Sequence, residues 1–249
     1  MSAPVFVSQE AADAVVGSIL SLTGAEARHA ATVQRRAVGE LIDLVDGDGR
    51  RANCRIVSVE DGRLDAVVEA VSADDDPEVM LIQALAKGGR DEQAIENAVE
   101  LGVTAVMPWA AERSIVQWRG PKVDKAMASW RSLVLAAAKQ SRRAFVPRVE
   151  PLATTRELAG RVRATIASGT RVVVLHEAAT SPLVSLEWRD VRQPVWVIVG
   201  PEGGISDNEL TALTEAGAET VRLGAHVLRT SSAGPAAIAA LAATRGSWR

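Results

Sequence analysis

Two glycine-bearing stretches near the C-terminus carry the residue types of a backbone-lined pocket. The first follows an apolar run, Pro194 to Val199, and reads Gly200-Pro201-Glu202-Gly203-Gly204-Ile205-Ser206. The second reads Leu223-Gly224-Ala225-His226-Val227-Leu228-Arg229-Thr230-Ser231-Ser232-Ala233. Neither ends in the Gly-Lys-Ser/Thr of a phosphate loop, and neither has the glycine spacing of a dinucleotide fingerprint. Without a phosphate grip, the glycines offer close backbone approach and positive φ. Exposed amides and carbonyls can then read the edge of a flat, neutral ring such as adenine. Leu223, Val227 and Leu228 supply apolar surface to hold such a ring. Arg229 is the strongest single candidate for a chemical role, because its planar fork suits a uracil carbonyl or a phosphate. His29, His176 and His226 are dispersed, and a lone histidine is more often structural than reactive; His226 alone sits within a pocket stretch. With three scattered His and one Cys, no metal site is expected.

The surrounding pattern has to position these stretches. From Val79 onward, strands alternate with helices: strands at Val79 to Ala86, Val103 to Pro108, Val172 to Leu175, Val195 to Val199 and Thr220 to Leu223. Helices are expected over Asp91 to Leu101, Val123 to Arg143, Leu158 to Ala167, Ser206 to Gly217 and Pro235 to Ala243. Ser206 and Glu209 form a capping box at the start of the fourth. This alternation predicts a parallel sheet with helices on both faces. Ligands of such sheets sit beyond the carboxyl ends of the strands. Both glycine stretches lie at strand ends, and His176-Glu177 marks a third.

The first seventy or so residues read instead as mostly β, a small curled unit. Glu40 to Asp46 alternates polar and apolar, and Asp46-Gly47-Asp48-Gly49 supplies a turn. Strands continue over Ala52 to Val59 and Leu64 to Val71, with Asp61-Gly62 between them. One helix is expected over Gly24 to Arg35, announced by a capping box of Thr23 and Glu26. Ser72 to Pro77 is the candidate linker.

Composition narrows the partners. The 249 residues carry a formal net charge of −3, so there is no global nucleic-acid signature. Yet the segment from Arg113 to Arg148 holds nine cations and the single anion Asp124, a local basic field suited to a polyanion. Binding through such a field weakens steeply with salt. Trp109, Trp118 and Trp130 lie nearby, where core packing is the commoner role. Cys54 stands alone, which excludes an intrachain disulfide and fits a reducing, cytoplasmic setting. The first ten residues lack the pattern of a signal peptide, and no apolar run approaches the roughly 20 residues of a membrane span.

At this point a resemblance is plain. Gly200 to Ser206 with Leu223-Gly224 and Val227-Leu228-Arg229-Thr230 resembles the RsmE family of 16S rRNA uridine N3-methyltransferases, in the SPOUT superfamily. Ala86-Lys87-Gly88 with Arg90, Glu100 to Val103, Lys139 to Arg143 with Val146-Pro147, His29 to Arg36, Gly39-Glu40 and Asp46-Gly47 agree with it. The likeness spans essentially the whole chain. It implies an α/β fold: a PUA-like, RNA-binding β-barrel domain over 1–73 and a SPOUT trefoil-knot methyltransferase domain over 77–249, the knot being an exception to the usual rule. It also implies S-adenosylmethionine as methyl donor, a homodimer, and 16S rRNA within the small ribosomal subunit as substrate. Carried over residue by residue, the donor pocket comprises Leu175, His176, Glu177, Gly200, Glu202, Gly203, Leu223, Gly224, Val227, Leu228, Arg229 and Thr230. RNA contacts are expected at Arg28, Arg35, Arg36, Lys87, Arg90, Arg113, Arg142 and Arg143.

The chain departs from the family in two places. Ser231 stands where the family usually has glutamate, and Ala136 stands at another glutamate position. The expected chemistry is an in-line methyl transfer in which Arg229 stabilises charge on a uracil carbonyl. The N3 proton leaves to water, Glu202 or His226. The alternatives are a related knotted ribose 2′-O methyltransferase and a non-catalytic RNA-binding assembly factor.

Overall fold

The computed structural model describes residues 3–60, 62–188, 190–246 and 248. Asp61, half of the expected Asp61-Gly62 turn, lies outside them. The chain divides into two compact units, one of residues 1–75 with 138–146, the other of 76–137 with 147–249.

In the first unit, β1 (Val5–Val7), β2 (Ile19–Thr23), β3 (Leu41–Val45), β4 (Arg50–Glu60) and β5 (Arg63–Ala73) form one sheet in the order β1-β3-β4-β5-β2. All pairings are antiparallel except β1 with β3. Alternation along β3 to β5 turns Ile42, Leu44, Ile56 and Leu64 into a core with Phe6 and Leu22. Helix α1 (Gly24–Arg28) runs on into a π-helical turn, His29–Val33. The expected capping box at its start is absent: Thr23 makes no side-chain cap. Glu26 turns instead to the Val7 amide at 3.3 Å and to the Lys139 ammonium at 2.7 Å. A charged partner more than a hundred positions away outcompetes a local amide.

The second unit is the parallel α/β element. Its strands are β6 (Val79–Ala84), β7 (Ala105–Ala110), β8 (Arg148–Val149), β9 (Ala153–Thr154), β10 (Arg171–Leu175), β11 (Val195–Val199) and β12 (Glu219–Val221). They run in the order β12-β10-β11-β6-β7-β8, with β9 also on β7, and every pairing is parallel. β6, β10 and β11 are predominantly apolar and largely buried on both faces, as a helix-covered sheet requires. The helices are α2 (Arg90–Glu100), α3 (Pro121–Gln140), α4 (Thr155–Ala167), α5 (Asp207–Glu215) and α6 (Thr230–Thr244).

Three helix boundaries in α3, α4 and α6 differ from the sequence pattern by three residues or more. α4 starts three residues before Leu158, because Thr154 and Glu157 form a capping box. α3 stops at Gln140, and Arg142 follows in the left-handed region at φ 59°. α6 begins at Thr230 rather than at Pro235, with the Arg229 carbonyl accepting the amides of Ser232 and Ala233. Trp109 and Trp130 are core residues, 0% and 1% exposed.

Candidate active site

A cavity of about 730 Å³ opens in the second unit beyond the carboxyl ends of β10, β11 and β12. Its size is within the range of small-molecule sites. The loop after β11 forms one wall. Gly200 has to be glycine: a Cβ there would stand 2.6 Å from Ile205 Cγ1. Gly204, at φ 74°, donates its amide to the Pro201 carbonyl and closes the turn. The loop ends at the predicted capping box, in which Ser206 and Glu209 each take the other's amide.

That box is anchored further by residues of β7, the segment that follows it, and α4. Ser206 Oγ donates to the Glu112 carboxylate at 2.6 Å. Glu209, 4% exposed, accepts the Glu112 amide at 2.8 Å and the Thr155 hydroxyl at 2.7 Å. Trp109 Nε1 donates to the same Thr155 oxygen at 3.2 Å. Arg113 donates to the Gly203 carbonyl at 3.2 Å. The buried Glu209 carboxylate, accepting from the Glu112 and Ser206 amides and the Thr155 hydroxyl, fixes the foot of the loop.

The stretch after β12 forms the second wall. Residues 224–229 are exposed, with Val227 76% exposed, and then Thr230 is buried at 6%. Thr230 Oγ1 donates to the Gly200 carbonyl at 2.7 Å and accepts from Gln83 Nε2 at 2.9 Å. The third wall is the end of β10. The His176 amide donates to the Val221 carbonyl at 2.9 Å, and its Nδ1 faces the Ala178 amide at 3.3 Å. His176 thus shapes a turn.

Leu175, His176, Glu177, Gly200, Glu202, Gly203, Leu223, Gly224, Val227, Leu228, Arg229 and Thr230 all line this one cavity, as does His226. Arg229 is exposed at the N-cap of α6, and no hydrogen bond or ion pair holds its guanidinium among the described residues. Glu202 is placed differently from a free base. Its Oε1 accepts the Arg90 guanidinium at 2.8 Å and the Lys87 amide at 3.2 Å. Partial burial alone would raise its pKa, but its own amide, Arg90 and the Lys87 amide outweigh this and hold the carboxyl below its usual range. A carboxylate stabilised in its charged form is a poor proton acceptor, so Glu202 acts as a latch between two loops.

The expected RNA contacts separate into groups. Arg90 and Arg113 line the cavity, and Lys87 is exposed beside Arg90. In the first unit, Arg28 and Arg35 are exposed, Arg36 pairs with Glu40 at 3.3 Å, and the Arg142 carbonyl accepts from Arg51. Arg143 is 8% exposed, with its guanidinium over the Phe145 ring. The sequence pattern did not single out Gln83, Glu112 or Glu209 as site residues. For Gln83 the available signal was a lone polar residue inside an apolar strand.

Comparison with known proteins places the chain. The RNA methyltransferase domain family matches residues 74–242, and the RNA methyltransferase PUA domain family matches residues 22–69. The chain is 43% identical over 234 residues to the ribosomal RNA small subunit methyltransferase E of Mycobacterium bovis, covering 93% of this chain and 89% of that one. It is 30% identical to that of Bacillus subtilis, covering 89% and 88%. The crystal structure of a ribosomal RNA small subunit methyltransferase E from Neisseria gonorrhoeae bound to S-adenosyl methionine superimposes with a TM-score of 0.85 at 31% identity, covering 97% and 98%. The α/β class and the PUA-like N-terminal segment expected from the sequence are therefore present. The chain belongs to the ribosomal RNA small subunit methyltransferase E family.

Proposed function

We propose that this chain transfers the methyl group of S-adenosylmethionine to N3 of a uridine in 16S rRNA. The observation that carries the reading is the convergence of all twelve expected donor-pocket residues on one cavity, one of them Arg229, whose guanidinium has no hydrogen-bond or ion-pair partner among the described residues. The same reading includes a cytoplasmic homodimer with the trefoil knot that the family resemblance implies, acting on RNA of the small ribosomal subunit.

The cavity's own features fit the donor. Nothing lies within 4 Å of where a Cβ on Gly224 would stand, so the backbone there is open to a ligand. Leu175, Leu223, Val227 and Leu228 offer apolar surface for an adenine ring, and the Gly200 to Gly204 loop offers backbone groups to its edge. Glu177, Glu202 and Asp207 line the same cavity together with Arg90, Arg113, Arg222 and Arg229, so it offers partners to both charges of a zwitterionic donor. When bound, the donor supplies an already activated methyl group.

The protein's contribution is then positioning and charge stabilisation. The uracil N3 proton has to leave as the new bond forms, and negative charge spreads onto the adjoining carbonyls. Arg229, exposed at the mouth of the cavity, stabilises that charge. Glu202 is held by Arg90, so the proton passes to water or to His226, which lies exposed on the same wall. Arg90 and Arg113 at the rim take RNA phosphates. The test is transfer from methyl-labelled S-adenosylmethionine to purified ribosomal subunits. Label should enter the small subunit and not the large one; transfer to neither, or to the large subunit alone, would overturn the assignment.

A further inference from the structure

Strand β6 is buried at every position, and its residues are Val, Met, Leu, Ile and Ala apart from Gln83, which is 0% exposed. A carboxamide in such a place is costly unless its groups are paired. Gln83 Nε2 donates to Thr230 Oγ1 at 2.9 Å and to the Ala84 carbonyl at 3.1 Å. Its Oε1 has no hydrogen-bond partner among the described residues. Flipping the amide would not help, because Oε1 would then face the Ala84 carbonyl, acceptor against acceptor. A leucine or methionine would fill the space with no orphaned oxygen. The side chain is therefore kept for its two donors.

Those donors settle the direction of another hydrogen bond. A hydroxyl can donate or accept, whereas a carboxamide NH₂ only donates. Gln83 commits the Thr230 oxygen to accepting, so the single hydroxyl proton goes to the Gly200 carbonyl at 2.7 Å. Gly200 opens the loop after β11, Thr230 opens α6, and both line the cavity. One buried side chain on a third element thus orients the bond that joins two walls.

We propose that Gln83 is a positioning residue for the methyl donor, holding the Gly200 and Thr230 walls in register by fixing the polarity of the hydrogen bond between them. The proposal rests on the reading of this cavity as the donor site. It predicts an effect on donor binding and little on the transfer step.

The test is Gln83→Glu, which keeps the shape and replaces the donor group by an acceptor toward both the Thr230 hydroxyl and the Ala84 carbonyl. At about pH 9.5, above the raised pKa of a carboxyl buried here, the carboxylate draws the Thr230 proton to itself, and the Gly200 carbonyl loses its donor. The affinity for S-adenosylmethionine, by calorimetry, falls about tenfold relative to the native chain. Burial raises a carboxyl pKa, so at about pH 5.5 the acid form donates again and the variant-to-native ratio narrows. Turnover at saturating donor stays within about twofold, a KM effect without a kcat effect. Gln83→Met frees the hydroxyl without reversing it, and its smaller loss does not vary with pH. If the native chain itself fails to bind the donor, the cavity reading fails and takes this proposal with it. If the native chain binds, a Gln83→Glu ratio near one, or one that does not change with pH, overturns the proposal alone. Should Gln83→Glu not fold, Thr230→Val decides: combined with Gln83→Met its loss is not additive, and additive losses overturn the proposal.

Discussion

Replacing Gly200 with alanine probes the packing that shapes the first wall of the cavity. The new Cβ would stand 2.6 Å from Ile205 Cγ1 and 3.4 Å from the Ile205 backbone nitrogen. Carbon atoms in comfortable contact are about 3.5–4.0 Å apart, so something has to move by about an ångström. Ile205 is 6% exposed and packs in one cluster with Trp196, Ile198 and Leu213, so its side chain has little room. Overpacking of this kind costs about 1–3 kcal/mol. If the loop moves, the strain appears in donor affinity, a loss of about 5- to 150-fold. If Ile205 moves, it appears as a lower melting temperature, by about 2–4 °C per kcal/mol for a chain of this size. Ile205→Ala removes Cγ1, and in that background the penalty of Gly200→Ala should shrink by more than half. The assay is calorimetry with S-adenosylmethionine and thermal melting of both single variants and the double variant. Native affinity and melting in Gly200→Ala, or an undiminished penalty in the Ile205→Ala background, would refute the steric account.

Further outcomes follow from the same geometry. Arg229→Ala should still bind S-adenosylmethionine, since the other eleven pocket residues remain, yet lose methyl transfer by about 100-fold or more as its charge stabilisation is removed; near-native turnover would reject its role. The Glu202 carboxyl is held below its usual pKa of 4.5, so its pairing with Arg90 stabilises the fold above that value and is lost as pH falls through the lowered one. Native and Arg90→Ala unfolding curves should therefore converge in acid, and a gap that persists there would contradict the pairing. Burial, and then the charge of Asp43, push the Cys54 thiol up to about 12 from 9.0. The unfolded thiol ionises first, so its contribution is present below pH 9.0, fades as pH rises, and is gone above about 12. Cys54→Ala should flatten the stability curve across that alkaline window, and an unchanged slope would contradict a buried neutral thiol.

What could be read from the sequence depended on whether the governing contact was local. The capping box of Ser206 and Glu209 is a four-residue pattern, and it formed as read. The same pattern at Thr154 and Glu157 marks the start of α4 and was available to the same reading. At Thr23 and Glu26 the pattern failed, because Lys139 claims the carboxylate from afar. Proline favours the first turn of a helix, and so Pro235 concealed the five residues of α6 that precede it. β1 and β2 are short, and β1 is held by pairing with β3, which no local pattern announces. The cavity's walls were legible, since glycine turns at strand ends are local features. The partners of those walls were not: Gln83 to Thr230 and Arg90 to Glu202 each join positions more than a hundred residues apart.

The chemical identity of the methylated nucleoside tests the central claim most directly. Small ribosomal subunits methylated by this chain with labelled S-adenosylmethionine would be digested to nucleosides and separated. The account predicts that the label is in 3-methyluridine, and that it disappears with Arg229→Ala. Label in a 2′-O-methylated nucleoside, or no label from a chain that binds the donor, would contradict it.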